Sequence, residues 1–184
     1  MSRERNLAKI AESTFSKLDK VHSEIFTMTY GAIVTTLVED LDNVDEVNAQ
    51  LDKMGHNIGE RLVDELLAKT GLNPQPDMRY VMEIVTRVGF RIYLGITPTL
   101  SNWNADSTTV TLSFRDSALS DWVELPHTLD DLSYFQLVCG VIRGALEMLG
   151  MKVKCTITAD KLKGAQTTDI LVELQEVMQA KFYN

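Results

Sequence analysis

Residues 132–150 read LSYFQLVCGVIRGALEMLG and predict the helix around which the rest of the chain folds. Its apolar side chains recur at steps of three and four, which places them on one buried helix face: Leu132, Phe135, Val138, Ile142, Leu146 and Leu149. We expect Asp130 or Asp131 to cap the start of this helix and Gly150 to end it in a left-handed conformation. Arg143 interrupts the apolar run, so the segment is a core helix and not a membrane span.

Two glycines, Gly140 and Gly144, lie one turn apart inside this helix. Each costs about 1 kcal/mol relative to alanine, so we expect another backbone or a ligand to approach closely on that side. A helix predicted over residues 44–69 carries a second pair, Gly55 and Gly59. For that pair, close helix–helix packing is favoured over ligand binding.

A further helix is predicted over residues 77–94, with Gly89 in the middle of its inward face. If the glycines of the three helices face one another, the core encloses an apolar channel wide enough for an acyl chain. Close packing without a channel is the alternative, and the sequence alone favours it. The candidate channel residues are Gly89, Val85, Val88, Ile58, Val138 and Ile142.

The remaining elements predict an α+β fold. A first helix covers residues 21–40 and is expected to bury Ile25, Met28, Ala32, Ile33, Thr36 and Leu37. Alternating apolar residues predict short strands over residues 110–114, 121–125, 151–157 and 170–174. Paired strands with short links favour a small antiparallel sheet with the helices packed on one face, in the order αααββαββ.

The chain has 184 residues, which suits one domain. We assign residues 21–184 to that domain and expect residues 1–20 to form a flexible N-terminal arm or a loose first helix. Asn43 is expected to cap the second helix, with Glu46 completing a capping box. The last residues, 175–184, are expected to form a short helix.

The composition excludes several functional classes. A formal net charge of -8 argues against a nucleic-acid groove and against binding to an anionic membrane surface. The first ten residues, MSRERNLAKI, lack the apolar core of a signal peptide, and no run is long enough to span a membrane. Cys139 and Cys155 are therefore expected to be reduced, inward-facing thiols of a cytoplasmic protein.

No catalytic or metal-binding motif stands out in the sequence. His22, His56 and His127 lie on three separate elements, so no metal site is expected. Glu147 follows Arg143 by four residues and is expected to pair with it. Because nothing assembles a nucleophile, a base and an orienting group, we assign no catalytic residue and expect no enzyme activity from this chain alone.

Five blocks of the sequence resemble one known family. In chain order they read FTMTYGAIV, LDKMGHNIGERL, YLGITPTLSNW, VELP and VCGVIRGALEM, over residues 26–148, with looser agreement to residue 174. These blocks are similar to subunit three of the TRAPP vesicle-tethering complex, the Bet-three family. The resemblance implies an α+β subunit that pairs with other small TRAPP subunits, or with a second copy of itself, through helical faces. It also implies a peripheral place at the cis-Golgi and ER-derived vesicles, where the complex promotes nucleotide exchange on a Rab1/Ypt-type GTPase.

The resemblance further implies a deep apolar channel that can hold a fatty acyl chain. The family's small channel-lining residue aligns with Gly89, the glycine already singled out. Its acyl-acceptor cysteine aligns with Gln75, which cannot form a thioester, so the channel is expected to be empty or to hold a free lipid or a partner's side chain. Residues 180–184 also lack the acidic tail with which some relatives approach the nucleotide pocket of the GTPase.

Two alternatives to a tethering-complex subunit remain open. One is a soluble acyl-chain-binding module, in which the apolar channel is itself the function. The other is a haem or gas sensor, which needs a histidine near the glycine-bearing helix faces. His56 alone lies there, and because it follows Gly55 it can point outward, which makes this alternative the weaker one.

Overall fold

The computed structural model describes residues 3–74, 76–115, 117, 119–120 and 122–178, and it confirms the α+β class. The helices are α1 (Arg3–Phe15), α2 (Ser23–Asp40), α3 (Val44–Thr70), α4 (Met78–Ile84), α5 (Phe90–Leu94) and α6 (Gln136–Met148), with a π-helix (Val85–Gly89) joining α4 to α5. The strands are β1 (Thr99–Ser101), β2 (Thr109–Phe114), β3 (Met151–Ala159) and β4 (Thr168–Val177). Short 3-10 helices span His127–Leu129 and Lys161–Lys163.

The four strands form an antiparallel sheet in the order β1-β2-β4-β3. On the two central strands, β2 and β4, the inward residues stand directly opposite one another, as Val110 does with Val172 and Leu112 with Ile170. All four side chains are fully buried, because residues two apart on a strand share one face. The sheet therefore turns one apolar face to the helices.

Helix α6 lies between α3 and the sheet and confirms the central helix of the prediction. Its inward side chains belong to the larger of two apolar clusters: Val138, Cys139, Ile142 and Leu146. The helix begins at Gln136 and not at Leu132, and no side chain caps it, so the expected caps Asp130 and Asp131 were wrong. Gly150, with a φ of 79°, follows the helix in the left-handed conformation as predicted.

The cap predicted for α3 at Asn43 is present, but the reciprocal half of the capping box is not, because Glu46 accepts from the Asn43 side chain and not from its backbone N–H. The side-chain oxygen of Asn43 accepts a hydrogen bond from the backbone N–H of Glu46 at 2.9 Å. The Asn43 amide donates in turn to the Glu46 carboxylate at 2.9 Å. These contacts satisfy a helix N–H that would otherwise lack a partner, and they set the start of the longest helix.

Residues 3–15 form helix α1, within the segment 1–20 that the sequence predicted to be a flexible arm or a loose first helix. Leu7 and Ala11 are buried in the smaller apolar cluster, whose other buried members are Leu66, Ile84, Val88 and Ile92. Two buried positions one turn apart make too short an apolar stripe to stand out in a polar sequence. Packing against the rest of the chain, which the sequence does not show, orders this segment.

Helix α2 buries a face that agrees only in part with the one predicted, since Leu37 packs against the larger apolar cluster but other predicted positions are exposed. Its buried side chains are Thr27, Tyr30 and Val34, whereas Ile25 and Met28 are exposed. The Tyr30 hydroxyl donates to the backbone oxygen of Tyr134 at 2.6 Å, which fixes this orientation. Residues 25–38 carry no charged side chain, so periodicity had no polar face by which to orient the helix.

The strand predicted over residues 121–125 was wrong. Residues 122–125 form no strand, and Trp122 is exposed; residue 121 lies outside the described part of the chain. The sheet instead takes its outer strand from β1, where Leu100 pairs with Leu112. Three residues are too few to show a period of two, and strand formation requires a neighbour with unpaired backbone groups.

The C-terminal helix predicted over residues 175–184 was also wrong where it can be compared. Residues 175–177 extend β4, which runs opposite β3 as far as Val177. The rest of that prediction, residues 179–184, lies outside the described residues.

Candidate functional site

The glycine pairs of α3 and α6 lie where the two helices meet backbone to backbone. A Cβ atom placed on any of the four would lie 2.0–2.2 Å from a backbone oxygen of the facing helix: Gly55, Gly59, Gly140 and Gly144. For Gly55 that oxygen belongs to Leu137. Close packing, the favoured interpretation for the α3 pair, is therefore confirmed, and it holds for the α6 pair too. The space that these glycines leave is filled by the facing helix.

Gly89 differs from those four glycines because open space lies beside it. Apart from its own helical turn, a Cβ atom placed there would meet only the backbone oxygen of Ile84, at 3.9 Å. Its φ of -59° and ψ of -60° are right-handed, so a side chain would cause no backbone strain. Gly89 also ends the π-helix, a wider helical turn that is often found at functional sites.

The other five candidate channel residues lie in three different environments. Val138 and Ile142 are buried in the larger apolar cluster, and Val85 packs at its margin. Val88 is buried in the smaller cluster, with the buried side chains of α1. Ile58 is 37% exposed on α3 and belongs to neither cluster. The π-helix thus contributes one valine to each cluster and lies between them.

Polar side chains join α3 to α6 alongside the glycines. Arg143 pairs with one oxygen of Asp52, and the other oxygen accepts a hydrogen bond from Gln136 Nε2 at 3.2 Å. His56 Nε2 lies 2.8 Å from Glu147 Oε2. The pairing predicted between Glu147 and Arg143 was wrong, because the close approach of the two backbones lets each side chain reach α3 instead. His56 is therefore a structural residue between two helices.

Both cysteines are free thiols, as predicted. Burial raises the pKa of the Cys139 thiol above its usual range, and it raises the pKa of Cys155 to about 12. Neither side chain is a thiolate near neutral pH, so neither is activated as a nucleophile. Gln75, the position aligned with the family's acyl-acceptor cysteine, lies outside the described residues.

Residues before and within α2 form an exposed apolar surface, which includes Ile25 and Met28, two residues that the sequence predicted to be buried. We call Val21, Ile25 and Met28 the α2 apolar face; they are 78%, 59% and 75% exposed. Ile25 and Met28 lie three residues apart on one side of α2, and Val21 lies two residues before the helix begins. Exposed apolar patches of this kind mark binding surfaces. The signal in the sequence was the uncharged run 25–38, which is unusual for a surface helix.

Two features are absent from the described part of the chain: a cluster of metal-ligating side chains and a helix that could span a membrane. There, no three or more His, Cys, Asp or Glu side chains come together in a way that could hold a metal ion. Among those same residues, no helix combines the length and apolarity that crossing a bilayer demands.

These features define a class: a small α+β protein with a glycine-mediated helix pair, open space at Gly89 and an exposed apolar helix face. The family model "Transport protein particle (TRAPP) component" matches residues 26–173. The chain belongs to this TRAPP component family, which confirms the resemblance carried by the five sequence blocks.

Individual relatives agree with this assignment. The chain is 42% identical over 171 residues to trafficking protein particle complex subunit 3 of Dictyostelium discoideum, covering 92% of each chain. It is 43% identical over 173 residues to transport protein particle subunit bet3 of Schizosaccharomyces pombe, covering 94% of each. These relatives therefore support the subunit-three assignment within the family.

Two solved structures resemble this fold. One is the crystal structure of a trafficking protein particle complex subunit 3 from Naegleria fowleri covalently bound to palmitic acid. Its TM-score is 0.82 at 38% identity, covering 88% of this chain and 100% of that chain. The phenol-responsive sensory domain of the transcription activator PoxR, solved with phenol, has a TM-score of 0.57 at 16% identity, covering 95% of this chain and 91% of that one. That second likeness concerns the fold alone.

Proposed function

We propose that this chain is a non-catalytic scaffold subunit of a TRAPP vesicle-tethering complex. In this proposal the α2 apolar face binds a neighbouring small subunit or a second copy of the chain. The assembled complex supports guanine-nucleotide exchange on a Rab1/Ypt-type GTPase in ER-to-Golgi and Golgi transport. The chain is then cytoplasmic and peripheral at the cis-Golgi and at ER-derived vesicles. Family membership supports the complex, and the α2 apolar face supports the binding role.

The energetics of the α2 apolar face favour a partner. Burying one large apolar side chain contributes about 1.5–3 kcal/mol, so covering Val21, Ile25 and Met28 together supplies several kcal/mol towards association. Tyr30 holds α2 to the core through its hydrogen bond to Tyr134, so the face is presented on an anchored helix. An anchored face loses little conformational entropy when it binds.

Affinity purification of the tagged full chain from its native cells, followed by mass spectrometry, tests this proposal. We expect the unmodified chain to recover several other small subunits in a fixed ratio. Met28→Glu places a charge in the α2 apolar face and should lose them, because burying an unpaired carboxylate opposes association. Asn57→Glu adds the same charge at an exposed position of α3 and should retain them. Recovery of the unmodified chain alone would contradict the proposal.

The exchange activity is assigned to the assembly and not to this chain. We expect the purified complex to accelerate release of labelled GDP from a Rab1/Ypt-type GTPase, and the isolated chain to leave the rate unchanged. Acceleration by the isolated chain would show that the catalytic surface lies within it.

Non-covalent binding of an acyl chain beside Gly89 is a second candidate function. The open space at Gly89 supports it, as does the relative from Naegleria fowleri that is bound to palmitic acid. Native mass spectrometry and solvent extraction of the chain from eukaryotic cells test it. We expect a fatty acid that is released without hydroxylamine, retained by Gly89→Ala and lost in Gly89→Leu. A hydroxylamine-labile adduct on Cys139 or Cys155 would contradict non-covalent binding.

A further inference from the structure

Strand β3 is an edge strand of the sheet. It pairs with β4 on one side, and no described strand lies on the other. In an antiparallel strand, alternate residues direct their backbone N–H and C=O groups away from the paired neighbour. No backbone hydrogen bond in the described chain joins these outward groups of residues 151–159 to another element. Among the described residues, the outer edge of β3 is therefore available to a further strand.

A cleft of about 530 Å³ lies along this edge. Residues 152–155 of β3, together with Gln175 of the paired strand β4, form one wall of the cleft. Side chains of α3 and α6 form the opposite wall: Asn48, Ala49, Asp52, Gln136 and Arg143. A strand edge that faces a helix across an open cleft is a geometry in which peptides bind as an added strand.

Three cationic side chains and one carboxylate line the cleft, although the chain as a whole carries a formal charge of -8. Lys152 and Lys154 line it and are exposed, and neither forms an ion pair with any described residue. Their cross-strand neighbours are Glu176 and Glu173, which do not approach them within ion-pair distance. The carboxylate among the lining residues, Asp52, is already paired with Arg143. Two positive charges of the cleft are thus left without an ion-pair partner among the described residues.

We propose that this cleft binds an extended acidic segment of another protein, which adds to the sheet as a strand beside β3. Backbone hydrogen bonds to the free edge of β3 hold the segment in register. Lys152 and Lys154 lie two residues apart on one face, so acidic side chains at alternate positions of the segment meet both. This surface is formed by β3, α3 and α6 and does not include the α2 apolar face. The inference is therefore independent of the proposed function.

The backbone part of this inference is tested with the full chain and a capped, fluorescent peptide in which glutamate and valine alternate. We expect fluorescence anisotropy to show binding at low salt that weakens as salt is added. A matched peptide with alternate backbone nitrogens methylated keeps the charges but cannot pair as a strand, and it should lose binding. Amide resonances of residues 151–159 should shift on binding of the unmethylated peptide.

Charge-reversal variants test the role of the lysines. The double variant Lys152→Glu/Lys154→Glu should weaken binding about tenfold or more, because it replaces attraction by repulsion. Lys163→Glu makes the same kind of change at an exposed residue outside the cleft, and it should retain most of the affinity. Equal binding of the methylated peptide, equal effects of the two charge changes, or no binding at low salt would each overturn the inference.

Discussion

Gly89 and Gly140 show how the same residue type serves opposite purposes in two helices. A Cβ atom on Gly140 would lie 2.1 Å from the backbone oxygen of Asp52, which cannot move without moving α3. A Cβ atom on Gly89 would enter open space. Interior glycine weakens a helix in both places, but only at Gly140 does close packing offset that cost.

Matched alanine substitutions test this difference. Gly140→Ala should lower the free energy of unfolding by about 1–3 kcal/mol, because it overpacks the α3–α6 contact. Gly89→Ala should raise it by up to about 1 kcal/mol, because alanine favours the helix and meets no obstacle. Urea denaturation of the two variants measures both effects. A loss of stability in Gly89→Ala as large as that in Gly140→Ala would show that the space beside Gly89 is closed.

Helices α1 and α2 differ in what they leave exposed. Helix α1 directs Leu7 and Ala11 into the smaller cluster, and its surface residues Glu4 and Glu12 pair with arginines of the π-helix and α5. Helix α2 is anchored to the core by Tyr30, but the α2 apolar face remains exposed to solvent. The first helix completes the core of this chain, while the second offers a surface for a partner.

A substitution in α1 tests whether this helix is part of the folded domain. Leu7→Ala should lower the free energy of unfolding by about 2–5 kcal/mol, because it leaves a cavity among buried side chains. Ser13→Ala changes an exposed residue of the same helix and should have an effect within about 0.5 kcal/mol. Denaturant unfolding compares the two. If Leu7→Ala costs no more than Ser13→Ala, residues 1–20 behave as a flexible arm, one of the two alternatives that the sequence left open.

At the scale of the whole molecule, the buried phenol of Tyr30 and the buried thiol of Cys139 make the free energy of unfolding fall as the pH rises into the alkaline range. Burial raises the pKa of Tyr30 and of Cys139 above their ordinary values, 10.0 and 9.0. Above those values the unfolded chain releases protons that the folded chain retains, so rising pH favours the unfolded chain. The contribution of these two neutral groups to the free energy of unfolding is fully present below about pH 9, and it is lost progressively as the pH rises above that value.

The contribution of one of these groups can be isolated with Tyr30→Phe. Near pH 8 this variant should lose about 0.5–1.5 kcal/mol of stability, because the hydrogen bond to Tyr134 is gone. Above pH 10 its stability should fall less steeply than that of the unmodified chain, because one ionising group has been removed. Urea unfolding across this pH range makes the comparison. Parallel profiles would show that Tyr30 ionises as readily in the folded chain as in the unfolded one.

Prediction from the sequence succeeded where the determining contacts are local. Three predictions each depend on residues within a few positions of one another: the Asn43 cap of α3, the α6 stripe, and the alternation in β2 and β3. Prediction failed where the partner is distant in the chain. Arg143 has Glu147 as a helical neighbour but pairs with Asp52, because the backbone of α3 lies so close.

By itself, the sequence determined the α+β class, the main helices, the three longer strands and, through five blocks of residues, the TRAPP family. The helical and strand periods are set by the spacing of apolar residues along the sequence, and the family resemblance depends on the order of residues alone. Only the tertiary structure decided which face of α2 is exposed and that α1 joins the core. It also decided that the glycines of α3 and α6 are closely packed, whereas Gly89 borders open space. These are properties of segments far apart in the chain, and burial is defined only once such segments are brought together.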